Sequence, residues 1–234
     1  MIQIDKVTKV FDKRAVLDEL TLSIAAGDRI ALIGSNGAGK TTLFRALLGH
    51  YRTEGAIRFD GARATRRDAR VLGRIAFVPQ LPPPLRMPVR ELIGFAEKGA
   101  GASRPRMYDI AGKLGIDLDE VGRRPFYRLS GGQKQKILVT VALGRDADLM
   151  IFDEPAANLD PAARAVFIDL LAARRDVSML IASHRLEEVA SLVNRVIELD
   201  RGRVVLDDSV VDRLAAGAFH LATIAISAPH APFA

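Results

Sequence analysis

The sequence contains no cysteine among its 234 residues. Disulfide bonds and thiolate metal sites are therefore excluded, which is compatible with a reducing compartment. No run of about 18 uncharged apolar residues occurs, so we do not expect the chain to span a membrane by itself. The opening, MIQIDKVTKVF, alternates and carries charges, unlike a signal peptide. What is present is a chain with 49% hydrophobic residues, long enough for one domain, with or without a subdomain.

Positive charge is concentrated in two arginine-rich stretches, 63–74 and 123–128, and the first of them contains no aromatic residue. The net charge of +6 and the isoelectric point near 9.9 leave nucleic acid and anionic membrane surfaces open as partners. Without interleaved aromatics, the first stretch offers no platform on which bases could stack, and the second has only Phe126 and Tyr127 between its arginines. We therefore favour a solvated surface near anionic lipid head groups over specific nucleic-acid binding. The two stretches contain Arg63, Arg66, Arg67, Arg70 and Arg74, and then Arg123, Arg124 and Arg128.

A glycine-rich segment, GSNGAGKTT at 34–42, has the form G-x-x-x-x-G-K-T. Its glycines let backbone N–H groups close around phosphates, while Lys40 reaches the β- and γ-phosphates and Thr41 offers a hydroxyl to Mg²⁺. An apolar, strand-like run precedes the segment at 30–33, and apolar residues at helical spacing follow at 43–48. This order predicts a strand, a loop and a helix whose N-terminus attracts the phosphates.

Two adjacent carboxylates, Asp153 and Glu154, end the apolar run LMIF at 149–152. This pattern is typical of a buried strand that delivers a metal-side Asp and a neighbouring Glu to bound phosphates. Two acidic residues also commonly mark the solvated end of a strand. The apolar run before the pair and Pro155 after it favour the functional interpretation.

A third motif, LSGGQ at 129–133, lies between the other two. In this order the three motifs resemble the ATP-binding-cassette family, the nucleotide-binding subunits of ABC transporters. The resemblance implies an α/β fold, namely a P-loop NTPase core with a mainly parallel sheet, a β-rich N-terminal subdomain and a helical subdomain inserted at about 81–145. The cassette would occupy residues 1–207 and a short tail residues 208–234. The implied cofactors are ATP and Mg²⁺.

The resemblance also implies catalytic and metal-binding residues. Glu154 resembles the carboxylate that polarises or deprotonates the attacking water, and His184 resembles the switch histidine that hydrogen-bonds the γ-phosphate and Glu154. Gln80 resembles the Q-loop glutamine, which binds Mg²⁺ or the water through its carbonyl oxygen and can shift when the γ-phosphate leaves. The implied metal ligands are Thr41, Gln80 and Asp153.

Further nucleotide contacts follow from the same resemblance. Phe11 lies where the family usually places an aromatic ring that stacks on adenine, although tyrosine is commoner there. Asp160 matches the D-loop aspartate, which commonly bridges two subunits. The implied ATP-binding residues are Phe11, Gly34, Ser35, Asn36, Gly37, Ala38, Gly39, Lys40, Thr41, Thr42, Ser130, Gly131, Gly132, Gln133 and Asp160.

The LSGGQ motif also predicts a helix, with Ser130 as N-cap and residues 133–143 free of helix breakers. One chain cannot easily aim two helix N-termini at one γ-phosphate from opposite sides, and in the family this motif faces the P-loop of another subunit. The resemblance thus implies a homodimer that encloses two ATP molecules. The proline-rich stretch LPPPLRMPVREL at 81–92 is a candidate contact for transmembrane permease subunits, a stiff linker being the alternative.

The sequence-based interpretation is an active ATPase that drives translocation by separate membrane subunits, from the cytoplasmic face of the inner (plasma) membrane. A soluble ABC ATPase acting on nucleic acid or ribosomes is the alternative, but the chain has only one cassette and no room for a long coiled coil between residues 80 and 129. Glu154 argues against a non-hydrolysing sensor. The GGQKQK stretch faintly resembles ATPases of metal uptake, cytochrome maturation or copper-enzyme assembly. The direction of transport, a substrate-binding protein and the tail's role stay open.

Overall fold

We describe the fold from a computed structural model, which covers residues 1–66, 68–183 and 189–210. His184 and nearly all of the proposed tail lie outside the described residues, as does Arg67. Within them the strands form two sheets, and the remaining structure is helices and loops.

The first sheet is antiparallel and has the strand order β2-β1-β4-β5. The buried residues Ile2 and Ile4 alternate with the exposed Gln3 and Asp5, as expected of a sheet with one covered face. Phe11 is the last residue of β1 and pairs with Arg14, the first residue of β2. The strands are β1 (Ile2–Phe11), β2 (Arg14–Ile24), β4 (Glu54–Phe59) and β5 (Ala62–Arg63).

The second sheet has the order β10-β9-β3-β8-β7-β6 and is parallel except for β10, which pairs antiparallel with β9 at one edge. Every residue of β7 and β8 is buried, because this sheet is covered on both faces. The carboxyl ends of its parallel strands lie along one edge. The strands are β3 (Arg29–Ile33), β6 (Ile75–Val78), β7 (Leu149–Asp153), β8 (Ser178–Ala182), β9 (Arg195–Asp200) and β10 (Arg203–Ser209).

A group of helices follows β6 and has its own apolar core, in which Met107, Phe126 and Ile137 are fully buried. Helix α6 also packs on the parallel sheet through residues such as Val139 and Leu143, and so connects the two parts. The helices of this group are α3 (Val89–Ala100), α4 (Arg104–Lys113), α5 (Leu118–Val121) and α6 (Gly131–Leu143). The others are α1 (Lys40–Leu47), α2 (Ala69–Gly73) and α7 (Pro161–Ala173).

The structure confirms the predicted α/β fold with its mostly parallel sheet. Strand β10 continues past the predicted limit at 207 to Ser209, so the first residues of the proposed tail pair with β9. The limits proposed for the cassette and for the helical subdomain stay predictions. Among the described residues, no helix combines the length and apolar character that crossing a bilayer requires.

Candidate nucleotide-binding site

The loop between β3 and α1 requires glycine at two positions. Gly34 has φ 144°, and a Cβ placed there would lie 2.3 Å from the carbonyl oxygen of Leu199. Gly39 has φ 111°, and a Cβ there would lie 2.8 Å from the carbonyl oxygen of Val16. Side chains are excluded at both points, so the backbone itself forms the wall of the cradle. No side chain caps α1, whose first N–H groups are therefore directed at the loop's interior.

Lys40, the first residue of α1, is held inside this loop. Its Nζ donates hydrogen bonds to the carbonyl oxygens of Gly34, at 2.6 Å, and Ser35, at 3.2 Å. Only 8% of the residue is exposed. Burial lowers the pKa of Lys40, while the nearby carboxylates of Glu154 and Asp153 partly oppose that shift. A buried cation held by two carbonyls is thus placed beside the loop's N–H groups.

Asp153 and Glu154 reach the same place from the end of β7. The hydroxyl of Thr41 donates to Asp153 Oδ2 at 2.9 Å, and Asp153 is 3% exposed. Glu154 has φ 51°, and its N–H donates to the carbonyl oxygen of Ala182 at 3.1 Å. A cavity of about 230 Å³ is lined by Val16, residues 35–42, Gln80, Asp153 and Glu154. The structure therefore places residues 35–42, Gln80, Asp153 and Glu154 around one cavity, and adds Val16, an ordinary strand residue in the sequence.

The donors around this cavity suit Mg²⁺. The hydroxyl of Thr41, the carboxylate of Asp153 and the amide oxygen available at Gln80 are hard oxygen ligands. No group of three or more His, Cys, Asp or Glu residues that could hold a metal occurs among the described residues. Magnesium commonly uses one or two protein groups together with substrate phosphates, so this sparse set fits the ion.

The LSGGQ motif, which we call the signature turn (residues 129–133), does not line this cavity. Ser130 caps α6 as predicted, because its Oγ accepts from the Gln133 N–H at 3.2 Å while Gln133 Oε1 accepts from the Ser130 N–H at 3.1 Å. Ser130 and Gly131 are exposed. A Cβ at Gly132 would lie 3.1 Å from the carbonyl oxygen of Asn158. The signature turn therefore lies beside the D-loop of the same chain, which includes Asn158 and Asp160. It lies away from the phosphate-binding cavity of that chain.

Phe11 also lies outside the residues that line the cavity. Its ring is 38% exposed and packs edge-on against Tyr51, with the ring centroids 5.2 Å apart. The ammonium of Lys9 lies 4.8 Å from the Phe11 centroid. Stacking of adenine on Phe11 stays a prediction. Tyr51, which supports the ring, has no sequence signal because it meets Phe11 only through the tertiary fold.

Asp160 is already engaged within its own chain. Its carboxylate caps α7 by accepting from the Ala163 N–H at 2.8 Å, and it forms an ion pair with Lys136 at 3.0 Å. The Ala163 N–H, and then Lys136, hold the pKa of Asp160 below its ordinary value. The role of Asp160 between subunits stays a prediction, and the role of His184 cannot be placed because that residue lies outside the described part.

Comparisons with known proteins agree with this geometry. A family model described as "ABC transporter" matches residues 17–157. The lantibiotic transport ATP-binding protein SrtF of Streptococcus pyogenes is 30% identical, over 88% of this chain and 90% of its own length. The zinc import ATP-binding protein ZnuC of Pseudomonas fluorescens (strain Pf0-1) is 33% identical, over 86% of this chain and 74% of its own length.

Solved structures give the same fold. The ATP-binding subunit of an ABC transporter superposes with a TM-score of 0.83 at 24% identity, over 93% of each chain. A bacterial Atm1-family ABC exporter with ATP bound superposes with a TM-score of 0.80 at 26% identity, over 92% of this chain and 40% of that one. Together with the family match and the phosphate cradle, these findings show that the chain belongs to the ABC transporter family as an ATP-binding subunit, an ATPase coupled to transport.

Proposed function

We propose that the chain hydrolyses ATP at the P-loop cavity with Glu154 as the catalytic carboxylate, and that this drives translocation through separate transmembrane permease subunits. The observation that carries the proposal is the lining of a single cavity, where Lys40, Thr41, Gln80, Asp153 and Glu154 meet. These residues come from α1, the loop after β6 and the end of β7, which are far apart in the sequence. The fold thus gathers phosphate-binding and proton-accepting groups at one edge of the sheet.

Binding of the phosphates rests on the loop and on α1. The uncapped N-terminus of α1 supplies N–H donors and a partial positive charge, and Lys40 supplies a full one. Lys40 is already held by two carbonyl oxygens, so its side chain loses little freedom when phosphate binds. Mg²⁺, held by Thr41, Gln80 and Asp153, would neutralise charge that develops on the phosphates.

Glu154 is placed to act on the attacking water. It follows Asp153 directly, and its positive φ turns the chain away from β7 so that the residue lines the cavity. In the proposed step Glu154 orients the water and accepts its proton as the oxygen attacks the γ-phosphorus. Gln80, from the loop after β6, would orient the same water and report the loss of the γ-phosphate to a partner subunit.

A homodimer that encloses two ATP molecules completes the proposal. Its support is the position of the signature turn, which is exposed and lies outside its own cavity, so that it can face the cavity of a second copy. Symmetric pairing would place each signature turn over the partner's ATP, as an isologous interface requires. ATP would then close the dimer and hydrolysis would reopen it.

The permease contact is proposed for the proline-rich segment at 81–92. Its backbone is fixed, because Phe126 N–H donates to the carbonyl oxygen of Met87 at 3.0 Å. Part of its apolar surface is nevertheless open to solvent, with Leu81 79% exposed and Met87 37% exposed, whereas Val89 and Leu92 are buried. A rigid, exposed apolar surface next to Gln80 suits docking of a membrane subunit. We therefore propose peripheral attachment at the cytoplasmic face of the inner membrane.

Relatives of similar identity are named for lantibiotic transport and for zinc import, so similarity alone does not choose a cargo. Metal-related uptake, cofactor or copper-enzyme maturation, and a substrate-binding protein stay predictions. Action on nucleic acid is not favoured: Arg74 is ion-paired with Asp60 and Asp148, and Arg70 with Asp68, which neutralises part of the basic stretch.

The test of the proposal is Glu154→Gln in the purified chain. We expect ATP binding to persist while turnover falls by about 10²- to 10⁴-fold, the usual contribution of a general base. With ATP and Mg²⁺, gel filtration should show the variant as a lasting dimer. Glu120→Gln, at an exposed residue of α5, is the control and should match the parent. Parent protein that binds no nucleotide would overturn the ATPase proposal, and binding without turnover would favour the sensor alternative.

A further inference from the structure

Gln135 is a polar residue in a place where glutamine is rarely found. It lies in the second turn of α6 and is completely buried. Its Nε2 donates a hydrogen bond to the carbonyl oxygen of Pro155 at 3.1 Å. Because that carbonyl can only accept, the orientation of the amide is fixed by its chemistry. Gln135 Oε1 is then buried without a hydrogen-bond partner among the described residues. Such a buried polar atom destabilises the folded state, so we look for a function that explains this glutamine.

The bond ends at the residue that follows Glu154. Glu154 has φ 51°, a conformation that is uncommon for a residue other than glycine, and Pro155 restricts it further. Such strain persists only where the surroundings determine the backbone. One support is the Glu154 N–H, which donates to Ala182 on β8 at 3.1 Å. The Gln135 amide is the second support, and it comes from a different element, α6.

Helix α6 also meets the same loop at two further points. A Cβ at Gly132 would touch the carbonyl oxygen of Asn158 at 3.1 Å, and Lys136 pairs with Asp160 at 3.0 Å. With Gln135 on Pro155, three residues near the start of α6 contact the stretch 155–160. The signature turn is the N-terminus of that helix. The start of α6 therefore connects the signature turn to the loop that begins at Glu154.

We propose that Gln135 is a positioning residue for Glu154: its amide holds the Glu154–Pro155 turn in the conformation that directs the carboxylate into the phosphate cavity, and it couples that carboxylate to the signature turn. The inference rests on the proposed catalytic role of Glu154. When a second copy's ATP engages the signature turn, α6 transmits the engagement through Gln135. That engagement would hold Glu154 more firmly in the position in which it already lines the cavity.

The first experiment is Gln135→Met, which keeps the length of the side chain and removes the donor. We expect kcat for ATP hydrolysis to fall roughly 10- to 100-fold, since a small displacement of a reacting group has this effect. The KM and the affinity for ATP should stay within about twofold, because the P-loop is untouched. Thr140→Val is the matched control: it lies on the same helix, is buried, and its Oγ1 has no partner among the described residues, so kcat should be unchanged.

A pH experiment separates positioning from general damage. In Gln135→Glu the carboxylate cannot donate to the Pro155 carbonyl, but the protonated acid can, and burial raises the pKa of such a group. Turnover relative to the parent should therefore rise as the pH falls from about 8 to about 6, whereas the ratio for Gln135→Met should stay level. This measurement decides the question even if Gln135→Met folds poorly. A level ratio for Gln135→Glu would overturn the proposal.

A double variant distinguishes this inference from the proposed function. If Gln135 acts through Glu154, adding Gln135→Met to Glu154→Gln should lower turnover no further. Full additivity of the two losses would overturn the positioning role. Parent-like turnover in Glu154→Gln alone would refute the proposed function instead. Parent-like turnover in Gln135→Met, beside a strong loss in Glu154→Gln, would refute only the inference about Gln135.

Discussion

The chain presents two helix N-termini that are built in opposite ways. Helix α1 starts after a left-handed Gly39 and has no side-chain cap, so its N–H groups are left for a ligand. Helix α6 starts with a reciprocal capping box in which Ser130 and Gln133 satisfy each other's N–H groups. A bare helix N-terminus needs an anion, whereas a capped one is stable without it. The difference indicates that the first site is built for phosphate within one chain.

The phosphate cradle at α1 and the signature turn at α6 also differ in burial. Lys40 and Asp153 are buried charges, placed close enough for their attraction to oppose the cost of burial. Ser130 and Gly131 are exposed and uncharged. A buried, charged cradle and an exposed, neutral signature turn suit two halves of a composite site that meet only when two copies associate. Placing a defect in each half on a different chain tests whether the halves meet in this way.

The largest effect is expected from mixing two variants. Lys40→Ala removes the cation of the cradle, and Gly131→Asp puts a repelling carboxylate on the signature turn. A Cβ at Gly131 meets nothing within 4 Å, and Asp suits the first turn of a helix, so this chain should fold. Each variant alone should lose about 10²- to 10³-fold in turnover, as for removal of one transition-state donor. In an equimolar mixture about half of the pairs combine the two variants, and each of these pairs has one intact site out of two. The mixture should therefore recover up to about a quarter of parental turnover.

Each variant in the mixture has a matched control, one at the same position and one at another lysine. Gly131→Ala adds a side chain without charge and should leave more turnover than Gly131→Asp. Lys113→Ala removes an exposed lysine that pairs with Asp109 on α4 and should act like the parent. If mixing restores nothing although mixed pairs are found by mass spectrometry of the intact complex, the signature turn does not complete the cradle of another copy.

Much of the candidate site could be predicted from motifs that are local in the sequence. The strand, loop and helix around the P-loop follow from apolar runs and glycines that are adjacent in the chain, and β3 and α1 confirm them. The Ser130 cap was likewise readable, because a capping box is a local motif. The convergence of Thr41 and Asp153, 112 residues apart, was expected from the acidic pair at the end of an apolar run and from the family resemblance.

Tertiary contacts without a sequence signature could not be predicted. Gln135 looks like a surface residue between two lysines, and only the packing of α6 on the loop after β7 buries it. Tyr51 meets Phe11 through the fold, and Arg74 joins Asp60 to Asp148 across two sheets. Each of these pairs is set by how elements pack, and a polar residue's own type carries no information about that packing.

Binding of ATP at the cradle should depend on pH through Lys40. Burial lowers the pKa of Lys40, so in the nucleotide-free chain it loses its proton at a lower pH than an ordinary lysine. Phosphates bind the charged form, so ATP affinity should fall as pH rises above this pKa, by about tenfold per pH unit. Folding stability should change with the opposite sign: between the folded and unfolded pKa values the unfolded chain binds more protons, so stability rises with pH.

Titration of ATP binding by calorimetry and thermal melting without ATP would measure the two trends. Lys40→Arg keeps its charge at all these pH values, so its affinity, although weaker, should show neither the alkaline loss nor the gain in stability. The signature turn has no comparable titrating group. If Lys40→Arg loses ATP affinity over the same pH interval as the parent, another group causes the loss. The titration of Lys40 would then not distinguish the cradle from the signature turn.

The smallest effect is expected at the cap of α6. Ser130→Ala removes the oxygen that accepts from the Gln133 N–H, and should lower the free energy of unfolding by about 1 kcal/mol. For a chain of this size that corresponds to a fall in melting temperature of roughly 2–4 °C. The bond from the Ser130 N–H to Gln133 Oε1 uses the backbone and should survive. Differential scanning calorimetry without nucleotide measures the change.

Ser130→Asp separates the structural role of this residue from its role toward a second copy. Aspartate caps a helix as well as serine does and its charge favours the N-terminus, so stability without nucleotide should match or exceed that of the parent. The same charge would face the γ-phosphate bound by another copy, so the dimer formed with ATP in the Glu154→Gln background should be lost. A stable variant that still dimerises with ATP would mean that Ser130 serves only as the cap of α6, and that the two helix N-termini do not meet at one nucleotide.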